Sequence, residues 1–299
     1  MPDTQDPEPF VSTGRLPAAS RITALVDDAY EAFRANRDGD VSGVYPALSC
    51  VPPNLFGISI VTTGAEVYAL GDAAVEFTIM SIAKPFVFAL VADAIGAEKL
   101  RDRVGVNATG RPFNSVAAVE AGPGGRTNPM VNAGAIATTS LTPGASLDDK
   151  WRFIQDGLSR FAGRPLALND EVYASAMATN QRNQAIAQLL DSYGRLAMLP
   201  GAATELYTRQ CSLNVSATDL AFMGATLAGG GVNPLSRQRV VDPLVCHHTL
   251  AVMLTAGLYE TSGDWLYDTG LPGKSGIGGG FVHGRSNGAG LALVSEPRC

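Results

Sequence analysis

The sequence predicts an α+β fold in which an antiparallel sheet is assembled from both ends of the chain and flanked by helices, with a helical lobe in between. Apolar residues alternate over 57–62 and 66–70 on either side of a glycine turn, which is typical of a β-hairpin. A second apolar hairpin punctuated by glycine is indicated at 275–282 and 288–294, whereas the long central stretch has mostly helical periodicity. Hairpins at both chain ends can share one sheet, and this order of elements therefore indicates the α+β class.

The first elements follow from local composition. Residues 1–19 are rich in proline and acidic residues and have no apolar period, so we expect a flexible N-terminal tail. Apolar residues then recur at helical spacing over 22–33, which predicts a helix behind a Ser20 cap that ends by Gly39. Residues 75–79 have the pattern of a strand.

The central part of the chain is predicted to be helical. Apolar helical segments lie at 85–95, 184–190 and 217–228, and connections rich in Pro, Gly and Asn separate them. Because the sheet needs both chain ends, we expect one cooperative unit.

The predicted unit is a single domain at 20–299. Its α/β lobe takes about 20–75 and 250–299, and its helical lobe takes about 76–249.

Composition excludes several classes of function. The chain has 299 residues, of which 46% are hydrophobic and 17% charged, and its net charge is −6. A nucleic-acid-binding protein needs a surplus of Lys and Arg, so we expect no nucleic-acid partner. No apolar run approaches 18 residues, so we expect no membrane span. The acidic, proline-rich start is unlike a secretory signal, and we expect a cytoplasmic protein.

Cysteine and histidine usage gives no sign of a metal site. The four cysteines are scattered without a CxxC pair, so we expect reduced thiols. The three histidines, His247, His248 and His283, lack the spacing of a zinc site and are poorly placed for a Ser-His-Asp triad. We therefore expect no metal or organic cofactor, and proton chemistry that does not depend on histidine.

The tetrapeptide Ser81-Ile-Ala-Lys84 is the first candidate for catalysis. It opens an apolar helical run, and residues three apart lie on the same face of a helix, so the Lys84 amine can reach the Ser81 hydroxyl. An apolar setting lowers the pKa of a lysine, which lets the neutral amine accept a proton from serine. The alternative is a serine cap followed by a structural lysine.

A second motif strengthens the first. Lys274-Ser-Gly276 opens a predicted strand near the C-terminus, and S-x-x-K on a helix followed by K-[ST]-G on a strand is the layout of penicillin-recognising serine enzymes. In that layout the strand supplies a backbone N–H to the oxyanion hole, here that of Ile277. An ordinary structural lysine at the start of a strand is the alternative.

Further segments, in order along the chain, resemble the serine-dependent glutaminases, which hydrolyse L-glutamine on a β-lactamase-like, penicillin-binding-protein-like fold. The matching motifs are Val44-Tyr-Pro-Ala-Leu48, Ser81-Ile-Ala-Lys84, Pro112-Phe-Asn-Ser115, Asn128-Pro-Met-Val-Asn-Ala-Gly-Ala-Ile136, Arg182-Asn183, Tyr207 with Cys211-Ser212, Leu227-Ala-Gly-Gly-Gly-Val-Asn-Pro234, Gly257-Leu-Tyr259 and Leu271-Pro-Gly-Lys-Ser-Gly276.

The resemblance implies roles for individual residues. Ser81 would be the nucleophile and Lys84 its base, and the hydroxyls of Tyr207 and Tyr259 would relay or stabilise protons. The amino-acid end of the substrate would be held by Tyr45, Asn132 and Asn183. The family also implies a homodimer or homotetramer.

Two positions depart from the family pattern. Met80 precedes the nucleophile where the family has Gln, and Ala176 occupies the position of a substrate-binding Glu. The loss of a carboxylate leaves the substrate open between glutamine, another small amide and a lactam. A weakened paralogue that binds amino acids is the remaining alternative. Glu171 is the acid nearest in sequence that could replace the missing one.

Overall fold

The computed structural model describes residues 17–284 and 289–295. Among them the strands are β1 (Phe56–Thr62), β2 (Val67–Gly71), β3 (Phe77–Thr78), β4 (Asn214–Val215), β5 (Gly273–Ser275), β6 (Gly280–Gly284) and β7 (Ala289–Ser295). The α-helices of the same residues are α1 (Ala19–Phe33), α2 (Ala83–Ile95), α3 (Ala97–Val104), α4 (Ala117–Ala121), α5 (Asn132–Ser140), α6 (Leu147–Ala162), α7 (Asp170–Thr179), α8 (Gln181–Ser192), α9 (Pro200–Cys211), α10 (Ala217–Ala228), α11 (Pro243–Ala256) and α12 (Ser262–Thr269). Short 3₁₀ helices lie at Pro46–Cys50, Met80–Ile82, Pro123–Gly125 and Tyr259–Thr261.

The main sheet joins the two ends of the chain, as the sequence predicted. Its strand order is β2-β1-β7-β6-β5, and all neighbours are antiparallel. The closing pair is β1 with β7, in register from Phe56 opposite Ser295 to Thr62 opposite Ala289. The α+β architecture and the first hairpin are therefore confirmed. The division into two lobes and the domain limits stay predictions.

Two local predictions were wrong in detail, and a third falls largely outside the described residues. Helix α1 begins at Ala19 after Ala18, without a side-chain cap, and ends at Phe33, so Ser20 is not its cap and Gly39 lies beyond its end. The predicted strand at 75–79 is reduced to β3, which pairs with β4 in a separate small sheet. Residues 1–16 of the predicted tail lie outside the described residues.

The predicted strand at 275–282 is in fact two strands, β5 and β6, joined by a turn. The turn forms because the Gly276 N–H donates to the Gly280 carbonyl at 2.9 Å, and Gly279 takes φ +93°, which favours glycine. The remaining part of the second predicted hairpin pairs β6 with β7. The start of the predicted strand at 288 lies outside the described residues.

Helix α2 lies at the centre of the hydrophobic core. Ten of its residues are buried, from Ala83 to Ala92, and it contacts α3, α5, α6 and α11. A helix that is apolar on all sides is expected in such a position. Within the described ranges, every helix is too short or too polar to cross a bilayer.

Candidate active site

A pocket of about 180 Å³ collects residues from distant parts of the chain. Its wall includes six residues that the sequence analysis assigned to the site, namely Tyr45, Ser81, Asn132, Asn183, Tyr207 and Ile277. The other two lie behind this wall: Lys84 donates to Asn132 Oδ1, and Tyr259 lies close to Ser81. The structure thus brings all eight residues together, while their chemical roles stay predictions.

Ser81 lies at a sharp bend between β3 and α2. The preceding residue, Met80, takes φ +46°, a left-handed conformation that a non-glycine residue seldom adopts and that costs about 1–3 kcal/mol. The surrounding structure holds this bend, because the Met80 side chain is buried and the Ile79 N–H donates to the Leu213 carbonyl at 2.9 Å. Ser81 itself is only partly buried, so its side chain is accessible from the pocket.

Lys84 is buried at the start of α2, with 2% of its surface exposed. Burial lowers the pKa of Lys84 from 10.5 to about 7, so a large share of the amine is neutral near pH 7. Its Nζ donates to Asn132 Oδ1 at 2.7 Å. The sequence analysis expected this amine to reach Ser81; the hydrogen bond found in the described structure is the one to Asn132.

Asn132 is the centre of a buried amide network. It is the first residue of α5, after the Val131 cap position, and its N–H donates to the Phe113 carbonyl at 2.8 Å. Its Oδ1 accepts from Lys84 and also from the Tyr207 hydroxyl, at 3.3 Å, while its Nδ2 donates to Asn183 Oδ1 at 3.0 Å. This network fixes the orientation of both amides at the pocket wall.

Tyr259 connects Ser81 with a second buried lysine. Its hydroxyl accepts from Lys274 Nζ at 3.1 Å and lies close to the Ser81 side chain. Burial raises the pKa of Tyr259 to about 12, and burial lowers the pKa of Lys274 well below its usual value. The Tyr259 ring stacks on Phe113 with centroids 4.7 Å apart. Like Met80, Tyr259 has a positive φ, +57°.

The turn after β5 brings Ile277 to the pocket. Gly278 allows this approach, because a Cβ at that position would collide with the Thr78 carbonyl just before the bend that carries Ser81. In the described structure, the Ile277 N–H makes no hydrogen bond to another backbone group. This N–H therefore remains available for a ligand.

Tyr45, Tyr207 and Cys211 form a weakly acidic part of the wall. Burial raises the pKa of Tyr45 to about 12, that of Cys211 to about 11 and that of Tyr207 well above its usual value. The Tyr207 hydroxyl also lies close to the Cys211 thiol. All three side chains are consequently neutral at pH 7.

Sequence reasoning missed some of the site. Lys274 was noted only as part of a motif, yet it contacts Tyr259 directly. Three further residues, Phe113, Arg182 and Cys211, belong to the motifs named above but were given no role. All three line the pocket. The motif Lys274-Ser-Gly276 is the sequence signal from which the place of Lys274 in the site could have been predicted. Among the described residues, no cluster of His, Cys, Asp and Glu has the arrangement of a metal site.

Comparison with known proteins adds to this geometry. A model of the glutaminase family matches residues 39–297. Glutaminase 2 of Yersinia pestis is 64% identical over 273 residues, which cover 91% of this chain and 80% of the relative. The glutaminase of Brucella canis (strain ATCC 23365 / NCTC 10854 / RM-666) is 45% identical over 280 residues, which cover 94% and 88%.

Solved structures agree with the sequence relatives. The probable glutaminase ybaS superposes with a TM-score of 0.91 at 42% identity, covering 93% of this chain and 90% of that one. Mglu in its glutamate form superposes with a TM-score of 0.87 at 33% identity, covering 93% of this chain and 64% of that one.

The family model and the relatives identify a hydrolase, and the pocket described above is its candidate small-molecule site. The chain belongs to the glutaminase family, the L-glutamine amidohydrolases.

Proposed function

We propose that the protein hydrolyses L-glutamine to L-glutamate and ammonia through an acyl-enzyme on Ser81, with Lys84 as the base. One observation carries the mechanism: a buried lysine whose pKa is about 7 lies one helical turn after a serine that is accessible from the pocket. A neutral amine in this place is suited to accept the serine proton. The β-lactamase-like fold class implied by the resemblance is part of the same proposal.

The proposed reaction has two stages. The Ser81 hydroxyl transfers its proton to Lys84 and attacks the side-chain amide carbon. The departing nitrogen then leaves as ammonia after it receives a proton from the protonated lysine, with Tyr207 or Tyr259 as relay. Water subsequently attacks the ester, and Ser81 is released. The N–H groups of Ser81 and Ile277 stabilise the oxyanion in both stages.

We assign the binding of the substrate's amino-acid end to the amide network. Asn132 and Asn183 are fixed by their mutual hydrogen bond of 3.0 Å, and Tyr45 lies in the same wall. Preorganised polar groups of this kind hold a substrate without reorganising during the reaction. Mglu has been solved in an L-glutamate-binding form, which supports a similar role for the pocket here. A homodimer or homotetramer and a cytoplasmic location stay predictions.

Ammonia release from a panel of amides tests this proposal. We expect turnover of L-glutamine by the wild type and a loss of at least about 10⁴-fold in kcat for Ser81→Ala. Glutaminase activity that persists in Ser81→Ala would contradict the serine mechanism. Turnover of only another small amide or a lactam would support the related acyl-serine alternative, and no turnover of any amide would support an amino-acid-binding role.

A further inference from the structure

The pocket has no group that is negatively charged at neutral pH. Among the residues that the structure describes, its wall contains neither Asp nor Glu. Its weak acids, Tyr45, Tyr207 and Cys211, are neutral at pH 7, and burial raises the pKa of each further above its ordinary value. Tyr259 behind Ser81 is neutral as well, and burial raises its pKa to about 12.

The charged groups at the pocket are cationic. Arg182 forms part of the wall, where its Nη1 donates to the Asn114 carbonyl at 3.1 Å. Lys84 is partly protonated near pH 7, because its pKa is about 7. A site with this charge distribution attracts an anionic substrate group and disfavours a cationic one.

Two acidic residues on α7 and α9, helices that contribute to the pocket wall, do not change this balance. Glu171 on α7 is exposed and is not part of the wall. Glu205 on α9 is engaged elsewhere, since its Oε1 accepts from Arg209 Nη2 at 2.6 Å. Where α7 meets the pocket, the wall is formed by the buried methyl group of Ala176. An α-ammonium in the pocket consequently has amide and hydroxyl oxygens but no carboxylate as partners.

We propose that the protein also hydrolyses ω-amides of dicarboxylic acids that carry no ammonium group, at least as efficiently as L-glutamine. Glutaramate is the simplest such substrate, because it has a hydrogen atom where glutamine has the α-ammonium. The amide C–N bond breaks, water supplies the hydroxyl of the new carboxylic acid, and the nitrogen leaves as ammonia. This inference rests on the proposed function and adds a class of substrate to it.

The ratio of kcat/KM for glutaramate to that for L-glutamine tests the inference. We expect a ratio of about one or higher for the wild type. Ala176→Glu should shift the ratio toward glutamine by about 30-fold or more, through a lower KM for glutamine, since an ammonium then gains a partly desolvated carboxylate partner. Ala176→Gln has a similar shape without the charge and should not produce this shift. Ala174→Glu places the same charge at an exposed position of α7 and should not produce it either.

Product binding gives a measurement that is independent of turnover. By titration calorimetry on the wild type, glutarate should bind at least as tightly as L-glutamate. A wild type that prefers glutamine and glutamate by tenfold or more, with no further gain from Ala176→Glu, would overturn the inference while leaving the proposed function intact. If neither amide is hydrolysed, the proposed function itself fails, and the further activity fails with it.

Discussion

The start of α2 and strand β5 each bring a buried lysine to the site, but the two lysines have different partners. Lys84 donates to Asn132 and so belongs to the amide network of the pocket wall. Lys274 donates to Tyr259, which lies close to Ser81, and also to the Ser275 carbonyl at 2.6 Å. Burial lowers the pKa of both amines, and the charge of Lys84 lowers that of Lys274 further.

This difference shows that closeness to Ser81 along the chain does not by itself decide which group a lysine contacts. The lysine three residues after Ser81 bonds to an amide, whereas the lysine near the other end of the chain contacts Tyr259, which lies close to Ser81. Two routes for the Ser81 proton can therefore be compared, the proposed one directly to Lys84 and one through Tyr259 toward Lys274. The proposed mechanism assigns the base to Lys84, and the variants below separate the two routes.

Of the two lysine replacements, Lys84→Met should have the larger effect on catalysis. Methionine replaces the amine by an apolar group of similar length, so we expect kcat for L-glutamine to fall by at least about 10²-fold, the lower end for a positioned proton acceptor. The melting temperature should not fall, because the variant no longer buries an amine. Lys99→Met on the exposed surface of α3 is the matched control. A near-normal kcat with a lowered melting temperature would show that Lys84 is a structural residue.

Lys274→Met should have a smaller effect, about tenfold in kcat, because this amine acts through Tyr259. Tyr259→Phe removes the intermediate hydroxyl, and the double variant should lose little more than the larger of the two single losses, since coupled groups are not additive. Steady-state kinetics on the three variants measures this coupling. A loss for Lys274→Met that exceeds the loss for Lys84→Met would reverse the assignment of the base.

The smallest expected effect concerns stability. Between about pH 7 and 10.5, the folded protein holds fewer protons on Lys84 than the unfolded chain does, so the contribution of Lys84 to the free energy of unfolding should rise with pH. The slope from one such group is at most about 1.4 kcal/mol per pH unit. Lys84→Met should reduce the slope without abolishing it, because Lys274 acts in the same direction. Denaturant unfolding at several pH values tests this, and an unchanged slope would mean that Lys84 stays protonated.

The sequence predicted the elements whose pattern is local. The first hairpin and the helical segments at 85–95, 184–190 and 217–228 correspond to β1 with β2, α2, α8 and α10. The predictions were wrong where contacts between distant segments determine the local structure. The bend at Gly276 splits a continuous apolar, glycine-rich stretch into two strands, and only the close approach of Gly278 to Thr78 explains its position.

The members of the site were predictable from their motifs, but their partners were not. Asn132 accepts from Lys84 across 48 positions of the chain, and Lys274 on β5 reaches Tyr259 in the 3₁₀ helix Tyr259–Thr261. Hydrogen bonds of this kind depend on how α5 and β5 are placed against α2, which no local pattern encodes. The positive φ values of Met80 and Tyr259 could not be predicted from the sequence either, because neither residue type favours that conformation.

The mass of the enzyme during turnover tests the central claim most directly. When the wild type is mixed with L-glutamine, quenched rapidly in acid and analysed by intact mass and peptide mapping, the account predicts a glutamyl adduct on Ser81. The adduct should form more slowly in Lys84→Met and be absent in Ser81→Ala. An adduct on another side chain, such as the Cys211 thiol, or undiminished turnover by Ser81→Ala, would contradict the account.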